Sequence, residues 1–144
     1  MSVRPVVQGE RPAATAGLRH VALFVEDLAA AEYFYVALLG MRVEWQPDGD
    51  NIYLTSGNDN LALHRAGGRN FSAEQQRLDH IGFILDRIDD VDHWCDFLRQ
   101  NQVPIKSEPR THRDGARSFY CLDPAGTLVQ LIHHPPISSG GPGR

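Results

Sequence analysis

The sequence predicts an α+β fold in which two βαβββ modules form a curved, mixed-sheet cup. Three observations predict it. A strand-like segment is written twice: residues 18–25 read LRHVALFV and residues 78–85 read LDHIGFIL. Each copy is followed by an acidic residue placed to start an amphipathic helix. After each helix come three short apolar segments divided by turn-forming residues.

In the first copy, alternation places His20, Ala22 and Phe24 on one face and Val21, Leu23 and Val25 on the other. Both faces are mostly apolar, so the strand is expected to be covered on both sides. Asp27 is placed to cap a helix from Leu28 to Leu39, with Leu28, Ala31, Phe34, Tyr35, Leu38 and Leu39 as its inner stripe. Gly40 stops it, because glycine takes positive φ without a Cβ clash. Strands are then expected at Met41–Gln46, Asn51–Thr55 and Asn60–Arg65, turned by Pro47-Asp48-Gly49-Asp50 and Ser56-Gly57-Asn58-Asp59.

The second copy repeats the order. Asp89 or Asp90 starts a helix to Gln100 with Val91, Trp94, Phe97 and Leu98 inward. Strands are expected at Val103–Glu108, Arg117–Leu122 and Thr127–His133, with Asp123-Pro124-Ala125-Gly126 as the last turn. The organisation is therefore a flexible arm (1–16), a first module (17–66), a connector (67–77), a second module (78–134) and a disordered Pro/Gly/Ser tail (135–144).

Composition excludes several classes. A net charge of −4 argues against nucleic acid, whose phosphates call for a basic face. The apolar runs are too short to span a bilayer, and no signal peptide is visible. Cys95 and Cys121 make neither a disulfide framework nor a zinc spacing, so they read as small buried apolar residues in a cytoplasmic protein.

The pieces RHVALFVEDL, AEYFYVALLGMRV, LDHIGFIL and RSFYCLDPAGTLVQLI resemble the vicinal oxygen chelate superfamily. That family includes glyoxalase I, fosfomycin-resistance proteins, bleomycin-binding proteins and extradiol dioxygenases. The resemblance covers residues 18–134 and implies a divalent ion (Fe, Mn, Ni or Zn) in the cup. His20 and His80 match the two histidine ligands it expects, whereas Gln130 stands where it expects a carboxylate. His64 is the best additional ligand, although Ala62, two residues earlier on the same face, is the alternative match; His134 is a further candidate. Among dioxygenase members the resemblance implies roles beside the metal for Tyr120 and His112, as hydrogen-bond donor and acid–base group. Arg110, Arg113 and Arg117 around that loop suit either an anionic substrate or simple solvation.

Two functions follow. One is a metalloenzyme acting on vicinal oxygens of a small substrate by lyase, isomerase or dioxygenase chemistry. The other is a metal-free protein that binds a small molecule or drug, as bleomycin-resistance proteins do. A homodimer is expected, with the cup made within one chain or between two.

Overall fold

The computed structural model describes Val6, Gln8, Gly9 and residues 18–69, 71–72 and 78–138. The expected N-terminal arm lies almost wholly outside the described residues. The element order is β1 (His20–Val25), α1 (Leu28–Glu32) running into a π-helical turn (Tyr33–Leu38), β2 (Arg42–Trp45), β3 (Asn51–Thr55), β4 (Asn60–Arg65), β5 (Ile81–Ile84), α2 (Asp90–Gln100), β6 (Ile105–Thr111), β7 (Arg117–Leu122) and β8 (Leu128–His133). The strands form two four-stranded mixed sheets, ordered β1-β4-β3-β2 and β5-β8-β7-β6. In each, the module's first strand lies parallel to its last and at the sheet edge. The βαβββ duplication is thus the observed topology. Strands β3, β4 and β7 keep the expected limits, while β5 is shorter and leaves His80 just ahead of it.

Each sheet has a helix-covered face and an open face. Leu23, Val25, Ile52, Leu54, Leu61 and Leu63 in the first sheet are buried, as are Phe119, Cys121, Val129 and Leu131 in the second. Their strand neighbours of opposite parity lie on the other face, where Ala62 and Ser118 are buried and most of the others are at least partly exposed. His20, Ala22 and Phe24 are exposed, so β1 is not covered on both sides as its apolar composition suggests.

The first helix departs from the single α-helix that its periodicity predicts. Asp27 caps it as expected, accepting from the Ala30 N–H at 3.0 Å. Beyond Glu32 the chain widens to i→i+5 pairing, seen where Leu39 N–H donates to the Phe34 carbonyl at 3.0 Å. The widened turn buries Phe34, Tyr35 and Leu38 together. Gly40 at φ +86° and the Met41 N–H bonded to the Tyr35 carbonyl (2.9 Å) then close it. On α2 the buried residues are Val91, Cys95 and Leu98. Phe97, expected inward, is 41% exposed, because the inner stripe follows Cys95 rather than the larger aromatic.

One core joins both modules, with Tyr35 at the joint. Its ring lies 6.0 Å from Phe83 of β5, and its hydroxyl donates to Asp123 Oδ2 at 2.7 Å. Asp123 Oδ1 also accepts from the Ala125 and Thr127 N–H groups at 2.9 and 2.7 Å, and Gly126 takes φ +89°. The DPxG turn is therefore both a hairpin and a clamp between modules.

At the chain's end His133 is buried, with Nδ1 at 3.3 Å from the Leu85 carbonyl. Pro135–Ser138, placed in a disordered tail, form a turn whose Ser138 hydroxyl donates to that same carbonyl at 2.7 Å. The rest of the tail lies outside the described residues.

Cys95 and Cys121 are both buried and unpaired in disulfides. Burial, helped by the Asp123 charge, pushes the Cys121 thiol up to about 12, and burial likewise raises Tyr35. Neither group ionises readily in the fold, whereas in the unfolded chain a thiol titrates near ~8.5 and a phenol near ~10. Their contribution to stability is thus complete below those values and is lost as pH rises from there toward about 12, the folded value for Cys121. Unfolding free energy is expected to fall across that alkaline window, and a thiol reagent at pH 8 should label neither cysteine until the chain unfolds. Labelling of either thiol in the native protein would show that the core is not closed around it.

No helix among the described residues is long and apolar enough to cross a membrane.

Candidate functional site

The open faces carry the sequence-predicted residues, and the strand registers say which stand side by side. In the first sheet His20 pairs with Asn60, Ala22 with Ala62, and Phe24 with His64. In the second, Gly82 pairs with Gln130, which pairs in turn with Tyr120. The duplication equates Ala22 with Gly82, so the partner equivalent to Gln130 is Ala62. His64 is two residues further on. The register therefore favours Ala62 over His64 as the counterpart of the expected ligand position.

Three imidazoles are held alike. His20 Nδ1 lies 2.8 Å from Asn60 Oδ1, His64 Nδ1 lies 2.6 Å from Asn51 Oδ1, and His80 Nδ1 lies 2.6 Å from Asp79 Oδ2. The asparagine orientations are fixed by carboxylates behind them. Asn60 Nδ2 donates to Glu44 Oε1 at 2.9 Å, and Asn51 Nδ2 donates to Asp48 Oδ1 at 2.9 Å. A carboxylate only accepts, so each amide turns its oxygen to the ring. Each neutral imidazole then carries its proton on Nδ1 and presents the Nε2 lone pair. This is how ligating histidines are oriented by the groups behind them. The Asp48 carboxyl is itself held below its usual range by the Asp50 N–H and the Asn51 amide.

The second module adds a polar cluster. The His80 ring meets Tyr120 edge-on at 5.2 Å. Gln130 Nε2 donates to Ser118 Oγ at 3.0 Å, and His112 Nε2 lies 3.1 Å from the same oxygen. Arg110 Nη2 approaches His112 Nδ1 at 3.5 Å. A guanidinium only donates, so the ring proton belongs on Nε2, pointing at Ser118. Gln130 and His112 thus meet at Ser118, and Tyr120, the strand neighbour of Gln130, meets His80. Arg117 does not join it: its guanidinium grips Asp92 of α2 at 2.8 and 2.9 Å on the helix-covered side.

His20 reaches the second module differently. It lines a cavity of about 120 Å³ with Asn60, Met41, Ile81, Gly82 and Phe83, between the edges of β1 and β5. His80, one residue before Ile81, is not among the residues lining that cavity. No group of three or more His, Cys, Asp or Glu side chains arranged for a metal occurs among the described residues.

As a donor set, His20, His80 and Gln130 fit a divalent ion in type but not in charge. The two imidazoles offer oriented lone pairs. Gln130 spends its NH2 on Ser118, which leaves Oε1 to coordinate, but that oxygen is neutral.

Ser118, Asn60, Asn51 and Asp79 were not legible as site residues. For two of them the sequence held a signal: Ser118 stands two residues before Tyr120 and so shares its face, and Asp79 directly precedes His80.

A profile of the Glyoxalase/Bleomycin resistance protein/Dioxygenase superfamily matches residues 17–131. The metallothiol transferase FosB of Staphylococcus epidermidis is 30% identical over 117 residues, which span 79% of each chain. A 1,2-dihydroxynaphthalene dioxygenase of Sphingobium xenophagum is 30% identical over 121 residues, 80% of this chain but 40% of that longer one. Among solved structures, a lactoylglutathione lyase from Agrobacterium tumefaciens shares the fold with a TM-score of 0.68 at 24% identity, covering 83% of this chain and 94% of its own.

Proposed function

The chain belongs to the glyoxalase/bleomycin resistance protein/dioxygenase superfamily, and we propose that it is a metal-dependent enzyme acting on vicinal oxygens of a small substrate. The observation that carries the reading is the matched orientation of His20 and His80, each with Nδ1 held and Nε2 presented. Together with Gln130 they would hold the ion, and His64 stands two residues beyond the equivalent position. Bound there, a divalent ion supplies Lewis acidity toward neighbouring substrate oxygens.

The chain's own residues do the rest. Tyr120, held against the His80 ring, donates its phenolic proton to a substrate oxygen as charge develops there. His112 exchanges a proton at Nε2 through the Ser118 hydroxyl, which also fixes Gln130. Whether the reaction is a lyase, isomerase, transferase or dioxygenase step depends on the substrate placed against these groups.

The test is metal analysis of the protein purified without a metal-affinity column, followed by titration with Mn²⁺, Ni²⁺, Fe²⁺ and Zn²⁺. About one equivalent per chain is expected, lost in the His20→Ala/His80→Ala double variant. A chain that takes up no ion and is indifferent to chelator would overturn the reading. That result would favour a metal-free binding protein, for which the absent carboxylate at Gln130 and the aromatic surface on the first sheet both speak.

A further inference from the structure

We propose that the open face of the first module binds planar aromatic anions of the aryl carboxylate class. The inference rests on the reading that the open faces hold the substrate, and it names the class of that substrate.

Its basis is a run of rings in mutual contact across the sheet. Trp45 stacks on Tyr53 at 5.1 Å, Tyr53 meets His64 edge-on at 5.9 Å, His64 lies 6.2 Å from Phe24, and Phe24 stacks on Phe71 at 6.0 Å. Rings of this size are ordinarily drawn into the core. Here Trp45 is 59% exposed, Phe71 47% and Phe24 45%. The run crosses from β2 through β3 and β4 to β1, three strand spacings or about 14 Å, enough for a two- or three-ring ligand. Small side chains lie beside it. Ala22 and Ala62 share the Tyr53 row, and Gly82 is the equivalent position in the second module. A Cβ added at Gly82 would meet only ordinary contacts, the nearest being Gln130 Oε1 at 3.6 Å. Its lack of a side chain is therefore not forced by packing and leaves room above the sheet.

Charge sets the ligand's sign and direction. The Arg69 guanidinium lies 4.1 Å over the Phe24 ring, steadied by a 3.0 Å bond from Nη1 to the Ala66 carbonyl. It has no carboxylate partner among the described residues. An arginine stacked on a ring is suited to bind a carboxylate in the same plane as a stacked aromatic. The Glu44 and Asp48 carboxylates are taken up by the Asn60 and Asn51 amides, whereas Arg69 stands over the Phe24 end of the run. An anion would therefore point its charge toward the β1 edge and lay its rings toward Tyr53 and Trp45.

The experiment uses the full chain stripped of metal, titrated with naphthalene-2-carboxylate by calorimetry and tryptophan emission. The saturated decahydronaphthalene-2-carboxylate and uncharged naphthalene-2-methanol serve as controls. Naphthoate is expected to bind at least tenfold more tightly than either. Trp45→Ala or Phe24→Ala should weaken it about tenfold, and Arg69→Gln should abolish the preference for the acid over the alcohol. Trp94→Phe, on α2, should change nothing but the emission baseline. Equal binding of all three probes would overturn the proposal. So would sedimentation showing self-association that Trp45→Ala relieves, since a second copy would then cover the rings. The His20→Ala/His80→Ala variant separates this inference from the metal reading. Naphthoate binding that persists in this variant, which is expected to take up no metal, supports the aromatic site independently of the metal; a natural chain that binds naphthoate but takes up no metal overturns the metal reading alone. Metal uptake without naphthoate preference overturns the aromatic site alone.

Discussion

Replacing Gln130 with glutamate is expected to tighten divalent-ion binding by roughly thirty- to a hundredfold, about 2–3 kcal/mol. The variant restores a charge at the position where the rest of the set is neutral. At an effective dielectric near 20, two unit charges 4 Å apart attract by about 4 kcal/mol, and dehydrating the carboxylate offsets part of that. The surroundings tolerate the change. Gln130 is only half-buried, and its NH2 has one partner, Ser118 Oγ at 3.0 Å. A serine hydroxyl both donates and accepts, so it can turn its proton to the new carboxylate while still accepting from His112 Nε2. Gln130→Ala should move affinity the other way with little change in stability. Calorimetric titration with Mn²⁺ or Ni²⁺ reads both. A glutamate variant that binds no more tightly than the natural chain would remove residue 130 from the coordination sphere, whatever His20 and His80 do.

That experiment turns on a residue found by counting, and the counting shows what the sequence discloses. The repeated strand, the cap at Asp27, the glycine stop and the DPxG turn are local signals. Each acts through bonds within a few residues, so the fold was readable. The candidate site was legible where duplication supplied a second measurement: His20 and His80 are found by comparing two copies, and Gln130 by its distance from the turn after which the resemblance expects a ligand. What stayed hidden depends on register. Asn60 faces His20, and Asn51 faces His64, only because β4 lies between β1 and β3 in the observed alignment. The same alignment separates Ala62 from His64. Ser118 needed knowledge that β7 lies beside β8. The π-helical turn also escaped, since its apolar spacing passes for that of an ordinary helix until Tyr35 must reach Asp123.

The same contact supports the largest expected effect on stability. Asp123→Ala should cost about 3–5 kcal/mol, much of the total for a domain of this size. The carboxylate is 4% exposed and accepts from three donors: the Tyr35 hydroxyl and the Ala125 and Thr127 N–H groups. Alanine orphans all three, at about 1–3 kcal/mol for each donor left buried without a partner, discounted because the turn will relax. Asp123→Asn is expected to cost less. Its one oxygen can still serve the turn, and the tyrosine oxygen can accept from the new NH2. Tyr35→Phe should fall between them, since it leaves Asp123 Oδ2 charged, buried and unpaired. Urea unfolding of the three variants ranks them, and the double variant Tyr35→Phe/Asp123→Asn should lose less than the sum of its parts, because one bond is counted in both. If Asp123→Ala stays within about 1 kcal/mol of the natural chain, the turn does not clamp the modules. The consequence reaches the site as well. The turn launches β8, whose third residue, Gln130, stands beside Gly82 and Tyr120. A loosened clamp should therefore weaken ion binding in Asp123→Ala more than in Tyr35→Phe, since only the former releases the Ala125 and Thr127 N–H groups that fix where the strand begins.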